Sequence, residues 1–382
     1  MTHARIYLDW NATAPLHPAA RAALAEALEA GGNPSSVHAE GRAARDRVET
    51  ARAQVAALAG AKPAEVIFTG GGTEANALAL RGLAPSRPVL ILGATEHDSV
   101  RANAADLADA VRVETLPVDG AGRPDLEALD RLLAGAGQGR ALVSVMAANN
   151  ETGVLAPVAE IARIAHAHGA LLHTDAVQAA GRIPLDRAAL GADLLSLSAH
   201  KLGGAPGAGA LIVRDGIVLA RQIAGGGQEL GRRAGTENVP AIAAFGAAAA
   251  HAAAHIGDWT AIAARRDALE RRLIDAVPQA VVHGAAAPRL PNTTMIGLAG
   301  LAGETQVMAM DLAGFAISSG AACSSGKVKA SHVLAAMGVA AAGDAIRVSL
   351  GPTTSADEID AFAAAWTAFA ARALARRVGM AA

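Results

Sequence analysis

Short apolar runs recur along the middle of the chain, at 65–68, 88–92, 111–116, 141–146, 170–174, 193–197 and 210–213, mostly separated by helix-length segments. Continuous apolar runs mark strands covered on both faces, and helices between them are the crossovers that parallel strands require. The pattern predicts an α/β fold with a mostly parallel, seven-stranded sheet built from those runs. Ahead of it, residues 17–30 and 38–59 read as helices, the second with Val48, Val55 and Leu58 on one side and Arg and Glu on the other. Behind it, alanine-rich 239–256, punctuated by His251 and His255, reads as a buried helix, and 258–276 as a helix of alternating charge. Strands near 280–283, 293–298 and 345–349, with helices near 303–313 and 355–376, then form a smaller α+β unit. The expected division is an N-terminal segment 1–15 packing with the small domain, a large domain 16–256, and a small C-terminal domain 257–382.

Composition narrows the functional classes. With 52% apolar residues in 382, the chain can bury one large core and a second smaller one. A formal net charge of −2, with acids and bases mixed, offers no broad basic face for nucleic acid or an acidic membrane. A single cysteine excludes an internal disulfide, and the polar start Met-Thr-His-Ala-Arg-Ile-Tyr is too short for a secretory signal, so the expected compartment is the cytoplasm.

Ligands of such sheets gather beyond the carboxyl ends of the strands, where Thr73, His97, Asn150, Asp175 and Lys201 fall. Asp175, in His-Thr-Asp-Ala-Val-Gln, and Lys201, in Ser-Leu-Ser-Ala-His-Lys, suggest pyridoxal phosphate. That cofactor needs a lysine amine to hold its aldehyde as a Schiff base and an anion beside the pyridine nitrogen. Taken singly, Lys201 would be a surface lysine and Asp175 a helix cap, with Gln178 a capping partner or a donor to the cofactor's phenolic oxygen. Phe68-Thr-Gly-Gly-Gly-Thr-Glu-Ala-Asn76 places glycine-bared amides and Thr73 at a strand-to-helix turn; with Ser198 and His200 nearby, a phosphate site is favoured over an ordinary turn. His97 could stack on a planar ring and exchange protons, and the amides of Asn149 and Asn150 could bond the ring or the substrate or simply form a turn. Arg347 projects from an apolar strand and needs an anion, either a substrate carboxylate or a structural acid. His166 and His168 lie two apart within a helix and face different sides, which argues against a metal pair. Cys323 lies among glycines and serines, with Lys327 and Lys329 favouring its thiolate, and reads as a reactive thiol rather than a core residue. A cofactor that activates and a thiol that accepts point to sulfur transfer.

With these residues the chain resembles the cysteine desulfurases, among the class V, fold-type I pyridoxal phosphate enzymes. The likeness runs through Tyr7-Leu-Asp-Trp-Asn-Ala-Thr, Gly32-Asn-Pro-Ser-Ser-Val-His38, Asn149-Asn-Glu-Thr-Gly, His173-Thr-Asp-Ala-Val-Gln, Ser198-Ala-His-Lys, Gly225-Gly-Gly-Gln-Glu, Arg233-Ala-Gly-Thr-Glu-Asn and the cysteine segment. It implies that Gly72, Thr73, Asn150, Asp175, Gln178, Ser198 and His200 hold the cofactor, with His97 stacked on it and Lys201 bonded to it. It further implies that Asn150 and Arg347 bind L-cysteine, that the chain is a homodimer with Thr236 reaching the neighbouring subunit's phosphate, and that Lys201, His97 and Cys323 are catalytic. The form Ser-Ser-Gly-x-Ala-Cys resembles the long-loop branch serving iron-sulfur and thio-cofactor assembly. A sulfur acceptor or iron-sulfur scaffold protein is the implied partner; there is no intrinsic metal site, but Cys323 could ligate a cluster in transfer. Leu230, where a basic residue is usual, and Lys327-Val-Lys-Ala330, where an acidic Glu-Pro pattern is usual, depart from the family pattern. The alternatives are an aminotransferase or selenocysteine lyase on the same scaffold, or a non-catalytic scaffold subunit.

Overall fold

The structure is a computed structural model that describes residues 5–319 and 330–381. After a short strand β1 (Ile6–Tyr7) come helices α1 (Pro18–Ala30) and α2 (Ala39–Leu58). The central strands are β2 (Val66–Thr69), β3 (Val89–Gly93), β4 (Arg112–Leu116), β5 (Ala141–Ser144), β6 (Leu171–Asp175), β7 (Leu194–Ser198) and β8 (Gly209–Val213). Between them lie α3 (Gly72–Leu83), α4 (Asp98–Leu107), α5 (Leu126–Ala136), α6 (Val158–Ala167) and α7 (Arg187–Leu190). They form one seven-stranded sheet in the order β2-β8-β7-β6-β5-β3-β4. Only β8 runs against its neighbours, pairing antiparallel with both β2 and β7. The mostly parallel sheet expected from the apolar runs is therefore present.

Strand pleating explains why those runs show no polar alternation. Ile67, Leu90, Leu92, Leu142, Leu171, Leu194 and Leu211 enter one core with α3 and α4. Their neighbours Phe68, Ile91, Val143, Leu172, Leu195 and Ile212 enter another with α2, α6 and α8 (Val239–Ala254). Both faces need apolar side chains, so the strands read as continuous. The exception is edge strand β4, where Arg112 and Glu114 face outward as an ion pair, a charged edge that discourages further strand pairing. Helix α8 is alanine-rich because it is crossed closely: a Cβ at Gly246 would lie 2.5 Å from Ala51 Cα of α2. Among the described residues, no single helix is long and apolar enough to cross a membrane.

The C-terminal elements are α9 (Trp259–Ala276), β9 (Val281–Val282), β10 (Thr293–Gly297), α10 (Gly303–Leu312), β11 (Phe315–Ala316), α11 (His332–Ala336), β12 (Ala345–Ser349) and α12 (Ala356–Ala381). Strands β12-β10-β9 form an antiparallel sheet. It shares a separate core with Leu269, Leu273, Phe362 and Trp366, which Leu8 of the N-terminal segment also enters. β1 pairs parallel with β11, Ile6 opposite Phe315, so the chain's start is laid against its far end. This contact carries residues 9–13 across the mouth of the large sheet.

Candidate active site

Strands β3, β5, β6 and β7 point their carboxyl ends the same way, and the loops leaving them enclose a cavity of about 390 Å³. Gly72, Thr73, His97, Asn150, Asp175, Gln178, Ser198, His200, Lys201 and Arg347 all line it. Thr236 does not: it lies beside a smaller cavity against Gly70 and Gly207. Cys323, Lys327 and Lys329 lie outside the described residues.

The floor is a hydrogen-bonded chain. Asp175 closes β6, its Oδ1 accepting from the Val177 amide at 2.9 Å; it caps a turn, where a helix cap is the simple expectation, because no helix follows β6 before α7. Asn76 Nδ2, from α3, donates to Asp175 Oδ2 at 2.7 Å and to Ser99 Oγ at 2.8 Å. Ser99 thus turns its own hydrogen toward His97 Nδ1, 2.9 Å away, which also accepts from the Ser99 amide and caps α4. The neutral His97 ring therefore carries its proton on Nε2. Behind Asp175, His173 is bonded at both ring nitrogens by Ser144 and Ser196. Burial pulls it down to about 4 despite the pull of Asp175 the other way. His200, desolvated and next to Lys201, is likewise pulled down to about 4 and stays neutral near pH 7.

Lys201 ends a short 3-10 turn after β7, and its Nζ donates to the carbonyls of Asn11 at 2.6 Å and Ala12 at 2.8 Å. Gln178 donates to the same Asn11 carbonyl at 3.0 Å and accepts from buried Arg182. Facing them from β12, Arg347 pairs with Asp9 at 2.7 Å and donates to the Asn150 carbonyl at 3.0 Å. The structural-acid reading of this arginine is met by Asp9, and the same side chain lines the cavity. Among the described residues, its Nε is buried without a hydrogen-bond partner.

The arrangement fits pyridoxal phosphate. An amine and a carboxylate stand at adjacent strand ends, with an imidazole over the same cavity. At the glycine turn, α3 begins at Gly72 with no side-chain cap, so its first amides open toward the cavity beside Thr73 and Ser198. The turn packs on the sheet without space for a side chain: a Cβ at Gly209 would lie 2.5 Å from Gly71. Among the described residues, Asn76 Oδ1 is a buried acceptor without a partner at this wall. No group of side chains among them could hold a metal ion, and His166 and His168 are instead paired with Asp193 and Asp130.

The segment carrying Cys323 leaves and returns beside this cavity. Ser318 exchanges two backbone hydrogen bonds with Arg347, at 3.1 and 2.7 Å. On the return, Ser331 Oγ donates to Glu151 at 2.5 Å and His332 Nε2 meets the Glu96 carbonyl at 2.9 Å. Residue-level reading missed Asn11, Asn76, Glu96 and Arg182. Asn11 and Asn76 stood inside motifs noted above, but their partners lie far off in sequence.

Fold and pocket together define a fold-type I transferase. The class-V aminotransferase family profile matches residues 6–362. A cysteine desulfurase of Cereibacter sphaeroides is 46% identical over 365 residues, covering 93% of each chain. Among solved structures, a NifS-like protein from Rickettsia africae superposes with a TM-score of 0.87 at 36% identity, covering 95% of this chain and 98% of its own. SspA in complex with cysteine gives 0.78 at 28% identity, over 92% and 100%. The chain belongs to the class-V aminotransferase family and, within it, groups with the cysteine desulfurases.

Proposed function

We propose that this protein is a cysteine desulfurase that releases L-alanine from L-cysteine, leaves the sulfur as a persulfide on Cys323, and passes it to an acceptor for iron-sulfur cluster or thio-cofactor assembly. One observation carries the reading: the cavity that joins Lys201 to Asp175 also holds Arg347, and Arg347 is bridged to the root of the segment bearing the chain's only cysteine. Cys323 stands five residues beyond Ser318, and five residues can span at most about 17 Å. The cofactor, when bound, supplies the electron sink at the substrate's α-carbon.

The residues divide the remaining work. Lys201 holds the cofactor by its amine and, when released, takes the α-proton. Asp175 would hold the ring nitrogen, Gln178 and Asn150 the ring's polar edge, and Gly72, Thr73, Ser198 and His200 the phosphate. Arg347 grips the substrate carboxylate while Asp9 fixes its plane. His97, with Nδ1 committed to Ser99, offers Nε2 for proton exchange. The Cys323 thiolate attacks the substrate sulfur; the sulfur-sulfur bond forms as the carbon-sulfur bond breaks, and the carbon keeps the electron pair and takes up a proton to become the methyl group of alanine. A second copy of the chain would bring Thr236 to the phosphate, making the homodimer the working unit. Mixing the reconstituted protein with L-cysteine and no keto acid should give alanine and protein-bound sulfane sulfur in equal amounts in the first turnover. Alanine appearing only with a keto-acid acceptor would identify an aminotransferase instead.

A further inference from the structure

Asn11 is fully buried, yet every polar group it owns is used, and the partners come from five separate stretches of the chain. Its amide nitrogen donates to Ser349 Oγ at 3.0 Å on β12. Its side-chain Nδ2 donates to Thr293 Oγ1 at 2.9 Å on β10 and to the Asn150 carbonyl at 3.2 Å, and its Oδ1 accepts from Asn292 at 3.1 Å. Its carbonyl accepts from Lys201 Nζ and from Gln178. Such a saturated buried network holds one geometry, because any shift would strand a buried donor or acceptor.

We infer that Asn11 is a positioning residue for Lys201: its side chain, locked to Thr293 and Asn292, sets the backbone carbonyls of Asn11 and Ala12 as the resting place of the lysine amine whenever that amine is not covalently engaged. Two carbonyls accept and cannot donate, so they suit an amine that has gained a proton as well as one that has yet to give it up. The same pair keeps the nitrogen at one place in the cavity that Asp175 and Ser198 also line, rather than letting a flexible four-carbon stem wander, which is where orientation contributes to rate. The inference deepens the desulfurase reading and rests on Lys201 being the residue that bonds the cofactor.

The test uses cofactor-free protein and follows capture of added pyridoxal phosphate by the visible absorbance of its lysine adduct, with melting temperature measured in parallel. Asn11→Ala should slow capture by about tenfold, the scale at which misplaced reacting groups lose rate. Thr293→Val, at a residue that does not itself line the cavity and reaches it only through Asn11, should slow it in the same direction by a smaller factor and stands in if Asn11→Ala does not fold. On the loaded enzyme, both variants should lower kcat, and Thr293→Val should leave the KM for L-cysteine within about twofold, since Arg347 keeps both Asp9 and the Asn150 carbonyl. Capture at the wild-type rate in folded variants of lowered melting temperature would reduce Asn11 to a structural residue and overturn the inference. Failure of the wild-type protein itself to capture the cofactor on Lys201 would instead remove the reading beneath it.

Discussion

The lysine side of the pocket and the feet of the segment that carries Cys323 are held in different ways. On the lysine side, Asp175 and Ser198 are the last residues of adjacent buried strands, and Lys201 follows within three residues of the second. Position there is inherited from the sheet. On the thiol side, the described residues show the two feet of the segment that carries Cys323 held by hydrogen bonds, at Ser318 on Arg347 and at Ser331 and His332 on Glu151 and Glu96. Cofactor chemistry needs groups held to a fraction of an ångström, and strand ends supply that.

The largest effects should separate the two sides completely. Lys201→Ala should abolish the visible absorbance of lysine-bound cofactor and all alanine formation. Cys323→Ser should keep that absorbance and its change on adding L-cysteine, yet yield no protein persulfide. Absorbance and persulfide measured on both variants check the crossing, and a Cys323→Ser protein that still supplies sulfur at the normal rate would break it.

Arg347 belongs to both sides, so its replacement sharpens the boundary. Arg347→Lys keeps the charge but cannot hold Asp9, the Asn150 carbonyl and a substrate carboxylate at once. The KM for L-cysteine should rise by about one to two orders of magnitude, with cofactor capture little altered. Steady-state kinetics beside the absorbance titration decides this, and an unchanged KM would leave Arg347 a structural partner of Asp9.

What could be read from the sequence follows the same division. The strands were legible because burial on both faces removes polar alternation, and the polar residues just beyond them stood out against that background. Arg347 was legible as a cation wanting an anion, but not as one shared between Asp9 and the cavity, since Asp9 is 338 residues away. Asn11 and Asn76 act through partners on β10, β12 and β6, and nothing local in their segments announces those pairings. Thr236 faces a different cavity within its own chain, which nothing local in its segment announces.

The smallest effect concerns Glu96, which stands between the two sides. Its carbonyl holds His332 at the foot of the cysteine segment, while its side chain is wholly buried against the Met146 amide, at 2.6 Å, behind the floor. Burial first, and the charge of Asp175 second, hold its carboxyl well above its ordinary value of 4.5. A raised carboxyl keeps its proton in the folded chain after the unfolded chain has lost it. Its stability contribution is therefore full below pH 4.5 and is lost progressively as pH rises from there toward the folded value. Glu96→Gln keeps an acceptor for Met146 and has no proton to lose in either state. The variant should melt close to wild type near pH 4.5 and increasingly above it as pH rises. His173, pulled down to about 4, acts with the opposite sign: its contribution is full above the ordinary histidine range and is lost as pH falls through it toward 4. Because His173 is common to both proteins, it cancels in their difference. Melting temperatures of the pair across this range isolate Glu96, and a gap that does not change with pH would mean that its carboxyl is ionised in the fold, with a second negative charge beside Asp175.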